Sequence, residues 1–525
     1  MENIFINALV KASTCHEHGG TTPPSRTGFH HSHKLRQKSS DLPPKPARRF
    51  HCPSKSTQQV VAPQAINRNE YLHMIDYYSS TTVEDGRTNH EPQLSAVRIV
   101  PHQTSPEEPL QDRDKRDIIE SAGRIIMEEE SSYEDIYKAY LTLPFPGVHY
   151  LAPAERNKLL QRLAVGERKN EQVLLRYLAV MDDMKAANLP LHGGQWNSAI
   201  YLVGRSFPKV TAVQVESALR MWREMEEDAG VPSTSVTYNI LFHVASRAKK
   251  YALAEMILKE IKTRGKGLNR YAHVDLIYFY GLRGDSDKIR QTYREYVKSG
   301  QIVDTVVMNC VISSLLQAGE FPAADHVYQR MRNMHAKQTG SRPPPNDWKA
   351  TRELGRVLYR ASKYSAKDPE LRHRLQDEES LAPNIQTYVI LLKHHVSQTG
   401  ELESVAKLVD DMRLLRLPFS GRIFVELFRG FANYGGIRYT SWNGPRLESV
   451  WNSFIELADR ELKEVYIGKW SVIWVLRAYM ACCGKKRTLD IWEELKSRWK
   501  PSEHDERIFL DILDRERSTP YAIKV

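Results

Sequence analysis

Few side chains in this sequence stand at spacings that could do chemistry. His504-Asp505-Glu506 spells the His-x-Glu that opens a nucleobase-deaminase zinc site, where the histidine holds the metal and the glutamate moves protons. That chemistry also needs a Pro-Cys-x-x-Cys partner downstream, and none follows, so the triplet reads as chance. His16, His18, His30, His31 and His33 are dense enough to suggest a metal-binding tract, but they fall in the segment read below as removable. His394 and His395 are neighbours on a helical run, so they face different ways and suit structural or solvated roles better than a shared metal. Glu128-Glu129-Glu130 reads as a solvated face. The chain has no glycine-rich phosphate loop and no nucleophile elbow. Arg247, Lys249 and Lys250, at the end of a helical run, could meet phosphates, although such a run also suits a solvated turn. No catalytic constellation, metal site or cofactor is expected.

The elements that must position any site are more informative, because the chain repeats itself between Ser235 and Thr339. Three helix-opening phrases recur: Val236-Thr237-Tyr238-Asn239, Tyr271-Ala272-His273-Val274 and Val306-Val307-Met308-Asn309. Ala254, Ile289 and Ala324 follow at steps of 35, and Ile261, Tyr296 and Met331 keep the same step. Gly265 and Gly300 keep it again, with His335 in the third copy. A fixed period of this size marks a solenoid, whose units bury their apolar faces only against neighbours.

The 525 residues could hold two to four domains or one long array, and 41% hydrophobic content is ample for a core. Formal net charge is +11, which favours a polyanionic partner. Nine Lys/Arg against three acids put +6 of it in residues 1–60, leaving +5 for the rest. Five cysteines without a CxxC argue against a disulfide framework or structural zinc. No apolar run reaches the ~18 residues of a membrane span.

Residues 1–60 are basic, Ser/Thr-rich and acid-poor, the composition of a mitochondrial transit peptide. Residues 61–115 read as a disordered linker. Helical periodicity then runs from 116 to 500 without a convincing strand pattern, giving an all-α chain. The period slips after Thr339, where Pro343-Pro344-Pro345 and a charged stretch to Asn384 lengthen one unit, and it resumes at Ile385. Looser pairs follow at Arg422–Leu457 and Lys469–Trp499, the second with bulky apolar residues, Trp470 among them, suited to closing the array. Residues 501–525 form a charged tail with room for one short helix.

A tetratricopeptide unit would step by 34 and show a Trp…Leu-Gly…Tyr first helix, which these copies lack. The chain resembles the pentatricopeptide-repeat family instead. The resemblance rests on Val236-Thr237-Tyr238-Asn239…Ala254…Ile261…Gly265, on Met308-Asn309…Ala318-Gly319…Ala324…Met331, and on Thr387-Tyr388…Gly400…Val405…Met412. It covers 235–269, 270–304, 305–339 and 385–420 as regular repeats and is looser elsewhere. The irregular copies look more like organelle-imported fungal mitochondrial members than long plant arrays.

This resemblance implies an α-solenoid, a right-handed superhelix of helix-turn-helix repeats, with first helices lining a concave face that takes single-stranded RNA, one base per repeat. It also implies base reading by the residue after the helix-opening aromatic together with the last residue of the repeat. The pairs are then Asn239 with Asn269, Val274 with Asp304, and Asn309 with Thr339, with Asn197 and Val389 at further first positions. Val236, Tyr271 and Val306 would sandwich the bases. Only Asn239/Asn269 translates, to a pyrimidine; Val274 cannot hydrogen-bond. Asn239 and Asn309 could instead cap or line a helix start. The expected function is organellar RNA stabilisation, processing or translation without catalysis, with mitochondrial mRNA or rRNA as ligand. The rival is a protein-binding scaffold or assembly factor in mitochondrial ribosome or respiratory-complex biogenesis.

Overall fold

The computed structural model describes residues 112–514 apart from 166–168, 265–267, 338–343, 365–367, 380, 461–464 and 502. The expected transit peptide, the linker up to 111 and the last eleven residues lie outside it. Every regular element among the described residues is a helix. Amphipathic runs with capping residues produce antiparallel pairs: α1 (Asp112–Met127) with α2 (Tyr133–Leu141), α3 (Pro153–Ala164) with α4 (Glu171–Ala186), and α5 (Gly193–Arg205) with α6 (Ala212–Arg223). The regular copies follow as α7 (Ser235–Arg247) with α8 (Tyr251–Thr263), α9 (Arg270–Arg283) with α10 (Ser286–Lys298), and α11 (Thr305–Gln317) with α12 (Phe321–Lys337).

The long unit holds two more helices, α13 (Trp348–Tyr364) and α14 (Pro369–Glu378). Three further pairs continue the chain: α15 (Ile385–His394) with α16 (Leu402–Leu414), α17 (Gly421–Tyr434) with α18 (Gly444–Asp459), and α19 (Lys469–Cys482) with α20 (Lys485–Arg498). A last helix, α21 (Glu503–Asp514), packs on α19 and α20. Its Phe509 is buried with ring centroids 5.4 Å from Trp492 and 5.7 Å from Trp499, so part of the charged tail closes the end of the array.

First helices stack on first helices in the order α5, α7, α9, α11, α15, α17, α19. The chain is an α-solenoid. The step from α11 to α15 skips the inserted helices: Asn309 Nδ2 donates to Asn384 Oδ1 (3.1 Å), and Thr387 Oγ1 donates to Asn309 Oδ1 (2.7 Å). The slip in sequence period is therefore a looped-out insertion and not a break in the stack.

Capping residues explain why each first helix starts where it does. Thr234, Asn269 and Asp304 stand 35 apart and precede α7, α9 and α11. Asn269 Oδ1 accepts from Ala272 N and Asp304 Oδ1 from Val307 N, each at 3.0 Å, which satisfies backbone donors that the helix itself leaves open.

Close helix approach depends on Gly281. A Cβ there would lie 2.7 Å from the backbone Cα of Ser314 on α11, whose side chain is fully buried. Gly281→Ala is expected to force α9 and α11 apart and cost about 1–3 kcal/mol, read as a lower urea midpoint. An unchanged midpoint would mean that the two helices slide without loss.

Candidate nucleic-acid groove

The stacked first helices enclose one large cavity of about 2850 Å³. Its wall runs from the loop before α4 through α5, α7, α9, α11, α15 and α17 to α19, and the start of α13 completes it. Eight Lys/Arg line it: Lys169, Arg205, Arg247, Lys349, Arg352, Lys393, Arg422 and Lys469. Among the described residues the only lining carboxylates are Asp347 and Glu426, and both have partners. Asp347 Oδ1 accepts from Ala350 N at 2.8 Å as it caps α13, and Glu426 pairs with Arg429 at 2.9 Å. Lys469 pairs with Asp505 at 2.5 Å, so the aspartate of the His-Asp-Glu triplet serves an ion pair.

Aromatic side chains interleave with the cations: Tyr201, Tyr278, Phe321, Trp348, Tyr466 and Trp470 all line the cavity. Trp470 is 55% exposed, so it faces the groove instead of closing the array as its sequence context suggested. Phe321 packs on His394 with centroids 4.5 Å apart. Burial holds the imidazoles of His394 and His395 below the usual range, and no cluster of metal-binding side chains occurs among the described residues. Burial also pushes the Cys310 thiol up to about 12, so this groove-lining cysteine carries no nucleophile at neutral pH.

The structure distributes the expected site residues unevenly. Asn197, Val236, Val306, Asn309 and Val389 line the cavity; Asn239, Asn269, Tyr271, Val274 and Asp304 do not, and Thr339 lies outside the described residues. Val236, Tyr271 and Val306 form an exposed apolar ladder on successive first helices, at 51%, 46% and 39% exposure. Asn239 and Asn309 sit one turn inside α7 and α11, so neither caps its helix. Asn309 is buried in the amide network that joins α11 to α15. Asn197 and Val389 are buried, and Val274 is half-buried against a small core around Tyr296. Asp304 is 1% exposed and ion-paired to the buried Arg270, so its carboxylate is engaged inside the fold.

Sequence reading missed most of the cations. Arg247 was visible as the start of a basic run at a helix end; Lys169, Arg205, Lys349, Arg352, Lys393, Arg422 and Lys469 are scattered and become neighbours only through stacking. Arg205 and Arg247 end their first helices, where a cation is favoured by the exposed carbonyls, and that shared position was the available signal.

The insertion is fastened to the array at its second half. Arg372 donates to the Val297 carbonyl (2.7 Å), and Gln376 accepts from Val303 N (2.8 Å) and donates to its carbonyl (2.9 Å). Thr305 Oγ1 donates to the Ala382 carbonyl at 2.9 Å. Nearby, burial and then the Asp304 carboxylate push Glu379 up to about 7 from 4.5, against the pull of Arg270. The fold therefore favours protonated Glu379. The stability this contributes is present below pH 4.5 and is lost as pH rises through about 7. Glu379→Gln is expected to flatten the fall in melting temperature across that window, and an unaltered pH profile would reject the assignment.

The family model described as PPR repeat matches residues 236–265 and 306–335. Two stretches of this chain are thus pentatricopeptide repeats. A chloroplastic pentatricopeptide repeat-containing protein of Arabidopsis thaliana is 25% identical over 121 residues, 23% of this chain and 16% of that protein. A small ribosomal subunit protein of the same plant, named rPPR7, is 25% identical over 116 residues, 22% of this chain and 28% of that protein. Each match thus spans less than a third of the relative. Among solved structures, the pentatricopeptide repeat protein PPR10 from maize has a TM-score of 0.30 at 16% identity, covering 76% of this chain and 55% of that one. PPR10 in complex with an 18-nt psaJ RNA element gives 0.32 at 16% identity, with 75% and 56% covered.

Proposed function

We propose that this pentatricopeptide-repeat protein binds single-stranded RNA in an organelle, the mitochondrion, and acts there without catalysis on RNA stability, processing or translation. The carrying observation is the groove: eight cations against two partnered carboxylates, in a chain whose residues beyond 60 carry only +5 in total. Charge concentrated on one concave wall with interleaved aromatics suits a phosphodiester strand with unstacked bases. A protein-binding scaffold would favour a groove with mixed charge or a predominantly apolar wall. The basic composition of residues 1–60 supports import, and the chloroplastic and ribosomal names of the two relatives support an organellar setting with the ribosome as a further partner. Held extended in such a groove, RNA is shielded from nucleases and from local base pairing.

The test is crosslinking and sequencing of RNA bound to the protein in mitochondria, with binding of purified protein to labelled oligouridine at several salt concentrations. Each neutralised phosphate is expected to contribute about 0.7 to the slope of log affinity against log salt. A flat salt response, no enriched transcript and a stable co-purified protein complex would hand the function to the scaffold.

A further inference from the structure

The cations of the groove are not evenly supplied by the array. The first helices α5 and α7 bring Arg205 and Arg247, and α15, α17 and α19 bring Lys393, Arg422 and Lys469. Between these groups, α9 and α11 bring no cation; their lining residues are polar or apolar, such as Tyr278, Val306, Ser313 and Gln317. The insertion supplies Lys349 and Arg352 from the first turns of α13.

Helix α13 reaches across the array instead of joining its stack. Tyr359 lies 5.7 Å, centroid to centroid, from Tyr271 on α9, and a Cβ at Gly355 would stand 3.8 Å from the Tyr271 hydroxyl. Only Leu358 and Ser362 of its described side chains are buried, so the helix is lightly held. Its charge is one-sided: Lys349, Arg352, Arg356, Arg360 and Lys363 against Glu353 alone.

That sign decides between two roles. A helix that blocked a cationic groove would be expected to carry acids and pair with the wall. Here like charges face each other. Burial, then Arg352 and then Arg205, lower Lys169 to about 8. Arg352 is held below its usual range by burial and then Arg356, and Arg247 by burial and then Arg205. No carboxylate ion pair to Arg205, Arg247 or Arg352 occurs among the described residues. Arg205, which burial alone would lower, is instead raised by Tyr201 and Asp275, so a polyanion between α13 and the wall would offset the repulsion felt by Lys169, Arg247 and Arg352.

We infer that α13 is an RNA clamp: it closes over a strand held in the groove, with Lys349 and Arg352 meeting phosphates opposite Lys169, Arg205 and Arg247. This rests on the RNA-binding reading above and adds that the strand is enclosed at α9 and α11.

The test compares binding of labelled single-stranded oligouridine by the full chain and by its Lys349→Ala/Arg352→Ala variant, whose substituted side chains are both exposed and outside the core. Loss of two phosphate contacts is expected to weaken affinity about tenfold or more and lower the salt slope by roughly 1.4. Hydrogen exchange of α13 is expected to slow when oligouridine binds. If wild type shows no salt-sensitive binding, the RNA reading itself fails. If wild type binds and the variant binds equally, the clamp is overturned while the RNA reading stands. Tighter binding by the variant, or faster α13 exchange on binding, would make α13 an obstruction and also overturn the clamp.

Discussion

Replacing Arg205, Lys393 and Arg422 together with alanine is expected to weaken oligouridine binding by roughly a hundredfold near physiological salt and to lower the salt slope by about 2. The three lie on α5, α15 and α17, line the groove and are exposed, so their removal leaves the core untouched. Arg247 is left in place because its guanidinium donates to the Gly204 carbonyl of α5, which makes it a staple between repeats as well as a groove cation. Phosphate contacts fix position but carry no sequence, so the loss should be uniform across oligonucleotides of different base composition. Fluorescence anisotropy at several salt concentrations reads both quantities. A variant that kept wild-type affinity would place the RNA outside this groove.

The architecture was legible because solenoid packing writes itself into the chain at a fixed step. Ala254, Ile289 and Ala324 are each fully buried, as the 35-residue spacing requires, and Ile261, Tyr296 and Met331 follow them into the core. The groove was less legible, since its cations come from eight places whose spacing follows no period. Arg205 and Lys393 share a wall only after the insertion is looped out and α11 meets α15. The insertion itself read as a charged, proline-led irregularity. Nothing in its composition says that α14 is pinned to Val297 and Val303 while α13 crosses to Tyr271. The polar residues that end the repeats were expected to read bases, and the structure gives two of them a capping role. Asn269 and Asp304 cap the next first helix, a role that sequence alone cannot separate from base reading.

Asp304 gives the sharpest way to separate those purposes. Substitution Asp304→Asn keeps a side-chain oxygen to accept from Val307 N, because asparagine caps as well as aspartate. What it removes is the charge opposite Arg270, a guanidinium only 3% exposed that also donates to the Tyr296 hydroxyl (2.7 Å) and the Ile302 carbonyl (2.8 Å). Leaving one buried charge without its partner is expected to cost about 3–5 kcal/mol of unfolding free energy, measured by urea denaturation. The companion change Arg270→Met removes the stranded cation, so the double variant should recover a large part of that loss. Base reading makes a different forecast: an altered preference among oligonucleotides with stability near wild type. Arg270, Asp304 and Tyr296 join α9, α10 and α11 at one buried point, and a loss of stability without a change of preference would identify Asp304 as the bolt between repeats.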